Sequence, residues 1–435
     1  MASMSLKNFT YHMNVRRLPH RKCILMRINT FADRPFDELL NRGWLLPNPE
    51  TQIHIVSISE TNGAESPDDA LSFSIDTRPS LFGEKRTSSS AFYVVRDDLL
   101  HPFVNGNKAR KLDAVIPALL DHCVTDLVTC GGCQSAHTAA VAVSCAEKGI
   151  SSHLLLRGEP PEILTGYNLV SAMYGNVTYI ARSVYAKREE MLLRHAELLA
   201  GKGGCVLWLK DIVHSSYDAV ELENLPISGH RTGAFEDAGR LRKVAIVNEG
   251  AGDALALLGV IRLVKYLSQK HLFGNEQPVE MVVDAGTGTT AVGLGLGVLY
   301  FGLPWKITAI MLADDIEGYQ RQEKRLVSDF TRLYGLDYVE PAVHGDIVHW
   351  VNRIRPRKFG KVLEGEVKKC RHVAQQTGIL VDPIYTLSAW ELATQLCRRE
   401  ETENARVVML HTGGTLGMFG VAQRYKHCFH AAMQK

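Results

Sequence analysis

The 435-residue sequence has no apolar segment long enough to cross a membrane and no strong excess of charge of either sign. Its longest apolar run, residues 291–303, is interrupted by glycine and is shorter than the roughly 20 residues that a membrane-spanning helix needs. The formal net charge of +2 does not indicate the basic surface that holds nucleic acid. We therefore expect a soluble protein that binds neither membranes nor nucleic acids.

The nine cysteines lack the even number and regular spacing that are typical of disulfide-bonded secreted domains. They indicate reduced thiols in an intracellular compartment. Cys130 and Cys133 form a CxxC pair at a glycine turn, which a redox or zinc site could use. No second pair completes a zinc site, and two small residues beside a tight turn explain the pair equally well. We predict no metal site.

Acidic residues are missing from the first 32 positions, which contain several Ser and Thr and six basic residues: Lys7, Arg16, Arg17, Arg21, Lys22 and Arg27. This composition is typical of a transit peptide, and we favour import into mitochondria over chloroplasts. A disordered basic tail is the alternative. Residues 33–73 are weakly patterned, and we interpret them as a linker with one or two marginal elements.

Short apolar strands alternate with helical patterns over the rest of the chain. We predict strands near residues 92–95, 126–129, 153–156, 205–209, 244–247, 280–284, 306–311 and 406–411. A strand, a glycine turn, a helix and a further strand form the unit of a parallel sheet. The sequence therefore predicts an α/β protein with two lobes, connected by the polar segment 211–242. We interpret the basic cluster at residues 353–361 as a solvated surface loop.

Lys108 directly follows the turn sequence Asn-Gly-Asn and begins a predicted helix. Leu112, Val115 and Ile116 have the spacing of one buried helix face, although Pro117 leaves the continuity of this helix open. An ammonium group is disfavoured at a helix N-terminus, and burial lowers its pKa further, as a Schiff-base or general-base lysine requires. On spacing alone, a solvent-facing lysine is the commoner case.

Two glycine turns precede predicted helices and could bind a ligand. Residues 284–290 (DAGTGTT) follow an apolar strand, and their small side chains would let backbone N–H groups approach a phosphate. A dinucleotide-binding turn is the competing interpretation, but the GxGxxG pattern is incomplete. Residues 131–138 (GGCQSAHT) place Ser135 at the N-cap of a helix, which is also a common structural role for serine.

Five motifs occur in a fixed order: YVVRDDL (93–99), GNKARKL (106–112), GGCQSAHT (131–138), LVDPIYT (380–386) and HTGGTLGMFG (411–420). Together they resemble the D-cysteine desulfhydrase and 1-aminocyclopropane-1-carboxylate (ACC) deaminase family of fold-type-II pyridoxal 5′-phosphate (PLP) enzymes, from about residue 74 to residue 431. The resemblance implies a two-domain α/β fold like that of the tryptophan synthase β subunit. It places a large PLP-binding domain at 74–111 and 241–435 and a small domain with its connecting segment at 112–240, and it implies a homodimer.

The resemblance also assigns roles to individual residues. Lys108 would carry PLP covalently, and the phosphate would be held by Gly286, Thr287, Gly288, Thr289 and Thr290. Lys108, Ser135 and Tyr385 would be catalytic, and the amino-acid substrate would contact Asn107, Gln134, Ser135 and Tyr385. Thr386 would face the pyridine nitrogen. The chain departs from the family at Ala136, where an asparagine usually contacts the ring hydroxyl of PLP.

Thr386 bears on which reaction is catalysed. In ACC deaminases the corresponding residue is glutamate, which keeps the pyridine nitrogen protonated and strengthens the ring as an electron sink. A neutral threonine is better suited to β-elimination, because a thiolate leaves easily. The resemblance thus implies a carbon–sulfur lyase that converts D-cysteine to pyruvate, hydrogen sulfide and ammonia. The alternatives are deamination of ACC or another D-amino acid, PLP binding with little turnover, and a nicotinamide oxidoreductase.

Overall fold

The computed structural model describes residues 39–60, 71–77, 90–212, 241–334, 336, 346–399 and 405–433. The chain divides into two units, residues 1–42 and residues 43–435, and the second unit contains both β-sheets. The predicted transit peptide at residues 1–32 and most of the irregular segment at 211–242 lie outside the described residues.

Two sheets form the framework of the second unit. Their strands are β1 (Ile53–Glu60), β2 (Leu71–Asp76), β3 (Ala91–Val95), β4 (Asp126–Gly132), β5 (Ser151–Arg157), β6 (Asn176–Ile180), β7 (Cys205–Trp208), β8 (Lys243–Ile246), β9 (Val279–Ala285), β10 (Trp305–Met311), β11 (His349–Asn352) and β12 (Arg406–Leu410). The seven-stranded sheet has the order β11-β10-β9-β12-β3-β1-β2, and the five-stranded sheet has the order β6-β5-β4-β8-β7. All pairs are parallel except β1 with β2 and β1 with β3. Helices connect the parallel strands, as such crossovers require.

The helices are α1 (Gly106–Asp121), α2 (Ala136–Glu147), α3 (Gly166–Tyr174), α4 (Arg182–Tyr185), α5 (Arg188–Ala200), α6 (Leu209–Ile212), α7 (Leu257–Leu267), α8 (Thr289–Tyr300), α9 (Ile316–Tyr334), α10 (Glu366–Thr377), α11 (Thr386–Leu396), α12 (Gly417–Arg424) and α13 (Lys426–Met433). Among the described residues, no helix combines the length and the apolar character needed to cross a membrane.

The structure refines one interpretation of the chain's organisation and corrects another. Residues 33–73, interpreted as a linker with one or two marginal elements, contribute β1 and the start of β2, because the alternating sequence IHIVSISE buries one face of β1 when it pairs with β3. Strand β8, which the predicted boundary gave to the large domain, instead pairs with β4 and β7 in the five-stranded sheet. The remaining domain boundaries stay predictions.

Helix α1 continues through Pro117. A proline at this position lacks the N–H that would bond to the carbonyl of Asp113, four residues earlier. That carbonyl instead accepts a hydrogen bond from the backbone N–H of Leu45, at 3.0 Å. The same aspartate pairs with Arg262 of α7 at 2.8 Å through its side chain. Long-range partners therefore stabilise a helix that the local sequence left uncertain.

Helix α11 is fixed on the seven-stranded sheet by aromatic packing. Trp390 is buried and meets Phe92 of β3 edge to face at 5.0 Å and Phe73 of β2 at 5.3 Å. Such pairs add to the free energy gained from burying the rings. The beginning of α11 carries Tyr385 as its N-cap and Thr386 as its first residue, so this packing fixes both backbones relative to the sheet.

Candidate active site

Except for Tyr385 and Thr386, which lie at the beginning of α11, the predicted site residues lie on segments that follow the carboxyl ends of parallel strands. The loop after β9 leads into α8, the loop after β12 contains residues 411–414, and the turn after β4 leads into α2. Ligands of open α/β sheets bind at this edge. Helix α1, which carries Lys108, begins against the loop after β12.

Gly106 and Asn107 attach the first turn of α1 to the loop after β12. Gly106 has a φ of +60°, and a Cβ there would lie 1.9 Å from the carbonyl oxygen of Thr412. The backbone N–H of Asn107 donates to the same oxygen at 3.2 Å. Only glycine fits this approach, so the motif GNK holds Lys108 in a fixed position relative to the C-terminal motif HTGG.

Lys108 is partly exposed, but its surroundings disfavour a charged ammonium group. Burial lowers the pKa of Lys108 to about 8, against the opposing attraction of Asp284 and Glu249. Burial also raises the pKa of Asp284 to about 7, although Thr412 donates a hydrogen bond to its carboxylate at 2.5 Å. The unprotonated fraction of the Lys108 amine near neutral pH is therefore far larger than that of a lysine in water, which favours a role as nucleophile or base.

A second lysine lies on the same helix and was missed by sequence reasoning. Lys111 is fully buried, and its Nζ donates to the carbonyl of Gly250 at 3.0 Å. Burial and the charge of Lys108 hold its pKa well below the usual value. The heptapeptide GNKARKL showed both lysines, but only the fold reveals that Lys111 is shielded from water.

The turn after β9 is shaped to hold a phosphate. Gly288 has a φ of +78° and approaches the rings of Tyr319 and Trp350, 3.2 Å from a Cβ built on it. Thr289 and Thr290 begin helix α8, where backbone N–H groups lack intrahelical acceptors. The buried hydroxyl of Thr290 has no hydrogen-bond partner among the described residues, and Thr287 bonds to Thr289 at 3.1 Å. Such donors suit an anion, and the phosphate-binding role of residues 286–290 stays a prediction.

Ser135 and Gln134 lie at the beginning of α2, and both side chains already have structural partners. The hydroxyl of Ser135 accepts the backbone N–H of Thr138 at 3.3 Å, so this serine is the N-cap of the helix. The amide of Gln134 donates to the carbonyl of Thr165 at 3.0 Å and accepts from the N–H of Tyr167 at 3.1 Å. The side chain of Gln134 could therefore bind substrate only by breaking one or both of these hydrogen bonds.

His137 is a further residue that sequence reasoning missed. It lies on the first turn of α2, where Ala136 precedes it. Burial and the charges of Lys108 and Lys111 hold its pKa well below the usual value. Its Nε2 bonds to the hydroxyl of Thr129 at 2.9 Å, and that hydroxyl donates to a backbone carbonyl, so Nε2 carries the proton. A neutral imidazole thus lies near the amine of Lys108.

Tyr385 and Thr386 occupy the turn before α11. Carbon Cε1 of Tyr385 lies 3.4 Å from a Cβ built on Gly286, which places the phenol ring over the phosphate turn. Burial, Asp382 and Asp284 raise the pKa of Tyr385, so its hydroxyl stays protonated. Thr386 is fully buried, donates to the carboxylate of Asp382 at 2.9 Å and accepts the N–H of Asp382 at 2.8 Å. The predicted role of Thr386 toward a pyridine nitrogen stays a prediction.

Two weaker sequence features have structural explanations. Burial raises the pKa of Cys130 to about 12, which suppresses the thiolate that a redox CxxC pair needs. The basic cluster was wrongly interpreted as a solvated loop, because Arg353 and Arg357 are buried against Glu366. Among the described residues, no group of three or more His, Cys, Asp or Glu could hold a metal ion.

Comparison with known proteins adds an identification to this geometry. No family model matches the chain. The putative D-cysteine desulfhydrase 2, mitochondrial, of Oryza sativa subsp. japonica is 53% identical over 393 residues, which cover 89% of this chain and 93% of the rice protein. The chain belongs to the D-cysteine desulfhydrase and ACC deaminase family. The bifunctional D-cysteine desulfhydrase/ACC deaminase, mitochondrial, of Arabidopsis thaliana is 25% identical over 76% of this chain and 74% of its own length.

The solved structures include an ACC deaminase homologue with a TM-score of 0.60 and 22% identity, over 79% of this chain and 89% of that chain. This likeness confirms the predicted two-lobed α/β fold of fold-type-II PLP enzymes. Both plant members of the family are named as mitochondrial, which confirms the compartment predicted from residues 1–32.

Proposed function

We propose that the protein is a PLP-dependent carbon–sulfur lyase that converts D-cysteine and water to pyruvate, hydrogen sulfide and ammonia. The observation that carries this proposal is the Lys108 amine, whose pKa is lowered to about 8 and which the Gly106 turn holds against the same edge of the sheet as the phosphate turn. The rice relative supplies the choice of substrate, since its name specifies D-cysteine.

The residues that would hold PLP are Lys108 for the covalent bond and the turn at 286–290 for the phosphate. The free amides at the start of α8 and the unpartnered hydroxyl of Thr290 suit a dianionic group. When bound there, PLP withdraws electrons from the substrate and so makes its α-proton acidic. Asp284 precedes this turn in the chain, and its raised pKa of about 7 reduces the negative charge that it would bring to a phosphate site.

Lys108 is the base in this proposal. With PLP bound, Nζ of Lys108 would accept the α-proton of D-cysteine, because its pKa lies close to neutral pH. Tyr385 keeps its phenolic proton and would donate a hydrogen bond to the sulfur as the carbon–sulfur bond breaks. Ser135 and the N–H groups of its turn would hold the substrate carboxylate, with Asn107 beside them.

The test is release of sulfide and pyruvate from D-cysteine by the purified holoenzyme. Lys108→Ala should lose both products and also the mass increment that borohydride fixes on the protein when PLP is bound. Lys148→Ala, at the exposed end of α2, is the matched control and should keep both. L-cysteine and ACC complete the substrate panel. Formation of 2-oxobutyrate from ACC without sulfide from D-cysteine would instead support ACC deamination.

We also propose that the protein forms a homodimer. Several large apolar side chains are exposed near α3 and α12, with Met173 74% and Phe419 59% accessible. Exposed apolar surface of this kind is frequent at interfaces between subunits. Sedimentation equilibrium of the holoenzyme would test this, and a monomer at micromolar concentration would contradict it.

A further inference from the structure

A cavity of about 340 Å³ opens beside the candidate active site, at the carboxyl ends of β10 and β11. Leu312 and Asp314 form one wall after β10, and Arg353 follows β11 on the opposite wall. The lining residue Phe359 packs edge-on against the ring of Tyr385, with centroids 5.5 Å apart. The cavity therefore adjoins Tyr385, but neither Lys108 nor the phosphate turn lines it.

Two buried arginines on this wall hold the backbone that precedes Tyr385. Arg353 donates to the carbonyl of Pro383 at 2.8 Å and to that of Ile384 at 3.2 Å. Arg357 donates to Pro383 as well, at 3.2 Å. These bonds give Arg353 and Arg357 a structural role. They leave the positive charges of the two side chains uncompensated, because a carbonyl oxygen carries no net charge.

The carboxylates that pair with this loop are fewer than its guanidinium groups. Arg353, Arg355 and Arg357 all donate to the same oxygen of the fully buried Glu366. Glu391 lies 3.7 Å from Arg355, but it also pairs with Lys369 at 3.5 Å. At least one guanidinium thus lacks a carboxylate of its own, which is costly in a buried position.

Other lining groups shift the balance only slightly. Lys358 adds an exposed positive charge at the rim, and Asp314 offsets one charge from the facing wall. Asp382 lies nearby and adds one negative charge, which its hydrogen bonds from Thr386 and three backbone N–H groups do not remove, because those donors are uncharged. The buried Nε of Arg353 has no acceptor among the described residues. The cavity itself is still lined by more positive than negative charge, with Arg353, Arg357 and Lys358 against Asp314.

We propose that this cavity binds a small carboxylate anion, separately from the PLP site. Guanidinium groups suit carboxylates because their planar N–H donors match two oxygens. Two carboxylates are available if the proposed function holds, namely the amino-acid substrate and the 2-oxo acid product. The choice of carboxylate rests on that function, whereas the anion site rests on the cavity and its charge alone.

The experiment is calorimetric titration of the PLP-loaded protein with pyruvate and, separately, with D-alanine, which carries the substrate carboxylate but no leaving group. Pyruvate should bind to the wild type, and Lys358→Gln should weaken this binding about fivefold, as expected when one charged contact of about 1 kcal/mol is lost. Lys361→Gln, on the same loop but not lining the cavity, should bind as the wild type does. Added sulfate should compete.

The outcomes distinguish substrate from product as the bound carboxylate, and they distinguish the cavity proposal from the proposed function. Equal weakening for D-alanine and pyruvate would support binding of both carboxylates, and weakening for pyruvate alone would support a product site. Unchanged pyruvate binding in Lys358→Gln and in Arg353→Lys, with folding checked by circular dichroism, would overturn the cavity proposal. Sulfide release by the wild type with no anion binding would overturn it as well and leave the proposed function standing. Anion binding without sulfide release would support the cavity proposal and overturn the proposed function.

Discussion

Burial moves the pKa values of Lys108 and Asp284 toward each other, to about 8 and about 7. In water the two values lie about 6.5 units apart. With values about one unit apart, the lysine can pass a proton to the aspartate at a cost of only about 1.4 kcal/mol. The fold thus brings the pKa of the lysine in the motif GNK close to that of Asp284.

Covalent capture of PLP by the cofactor-free protein should speed up as the pH rises, with a midpoint near 8. The reason is that only the unprotonated amine of Lys108 attacks the aldehyde. The rate can be measured by quenching samples with borohydride and determining the modified fraction of the protein by mass spectrometry. A midpoint above about 10, the value for a lysine in water, would contradict the burial described for this side chain.

Asp284→Asn should flatten the pH dependence of stability between about pH 4 and pH 7. The folded protein holds the Asp284 proton up to about pH 7, whereas an unfolded aspartate releases it near pH 4. The folded state therefore binds more protons in this window, and the free energy of unfolding contributed by this group falls as the pH rises. Urea unfolding at several pH values measures the slope. Asp121→Asn, at the exposed end of α1, should leave it unchanged.

Thr386→Glu should destabilise the protein by about 3 kcal/mol or more, because it brings a second buried carboxylate next to Asp382. The residue found in ACC deaminases therefore does not fit this chain without further changes. Thr386→Ser, which keeps both hydrogen bonds to Asp382, should cost far less. Thermal unfolding of both variants tests this, and equal stability of the two would contradict it.

The site residues that sequence could predict are those with a local signature. Lys108 follows a turn and begins a helix, and Thr290 follows a strand and a glycine turn, so neighbours along the chain define both. Lys111, His137 and Arg353 have no such signature. Their burial depends on partners far away in sequence, such as Gly250 for Lys111 and Ile384 for Arg353.

At the scale of elements, helices α7 and α8 pack through small residues. Gly293 and Gly297 of α8 face Val260 and Val264 of α7, with distances of 2.8 Å and 2.9 Å from a built Cβ to the valine side chains. Gly297→Ala should therefore cost about 1–3 kcal/mol through overpacking, measured by urea unfolding. Gly43→Ala, where a Cβ would meet nothing within 4 Å, is the control. An unchanged free energy of unfolding in Gly297→Ala would contradict the close packing of α7 against α8.

Sequence predicted the long buried strands of both sheets, because continuous apolar runs between turns mark them. It missed β6 and β11 and expected only one or two marginal elements where β1 and the start of β2 lie; all four are edge or near-edge strands with mixed exposure. Their pairing depends on a neighbouring strand more than on their own composition. The continuity of α1 through Pro117 was likewise beyond prediction, since it requires the N–H of Leu45.

At the scale of the whole molecule, residues 1–32 should suffice for import. A fluorescent protein fused behind them should accumulate in mitochondria, because a basic segment without acidic residues suits the import machinery. Replacing Arg16, Arg17 and Arg21 by glutamine should leave the fusion in the cytosol. Accumulation in chloroplasts would contradict the predicted compartment.

Strand β12 is the last strand that the structure describes along the chain, yet it lies between β3 and β9 in the seven-stranded sheet. Without β12, the strands β3 and β9 have no hydrogen-bonded link to each other. The loop that contacts Gly106 follows β12 directly. Detachment of this one strand would therefore divide the sheet in two and, in the same event, release the first turn of the helix that carries Lys108.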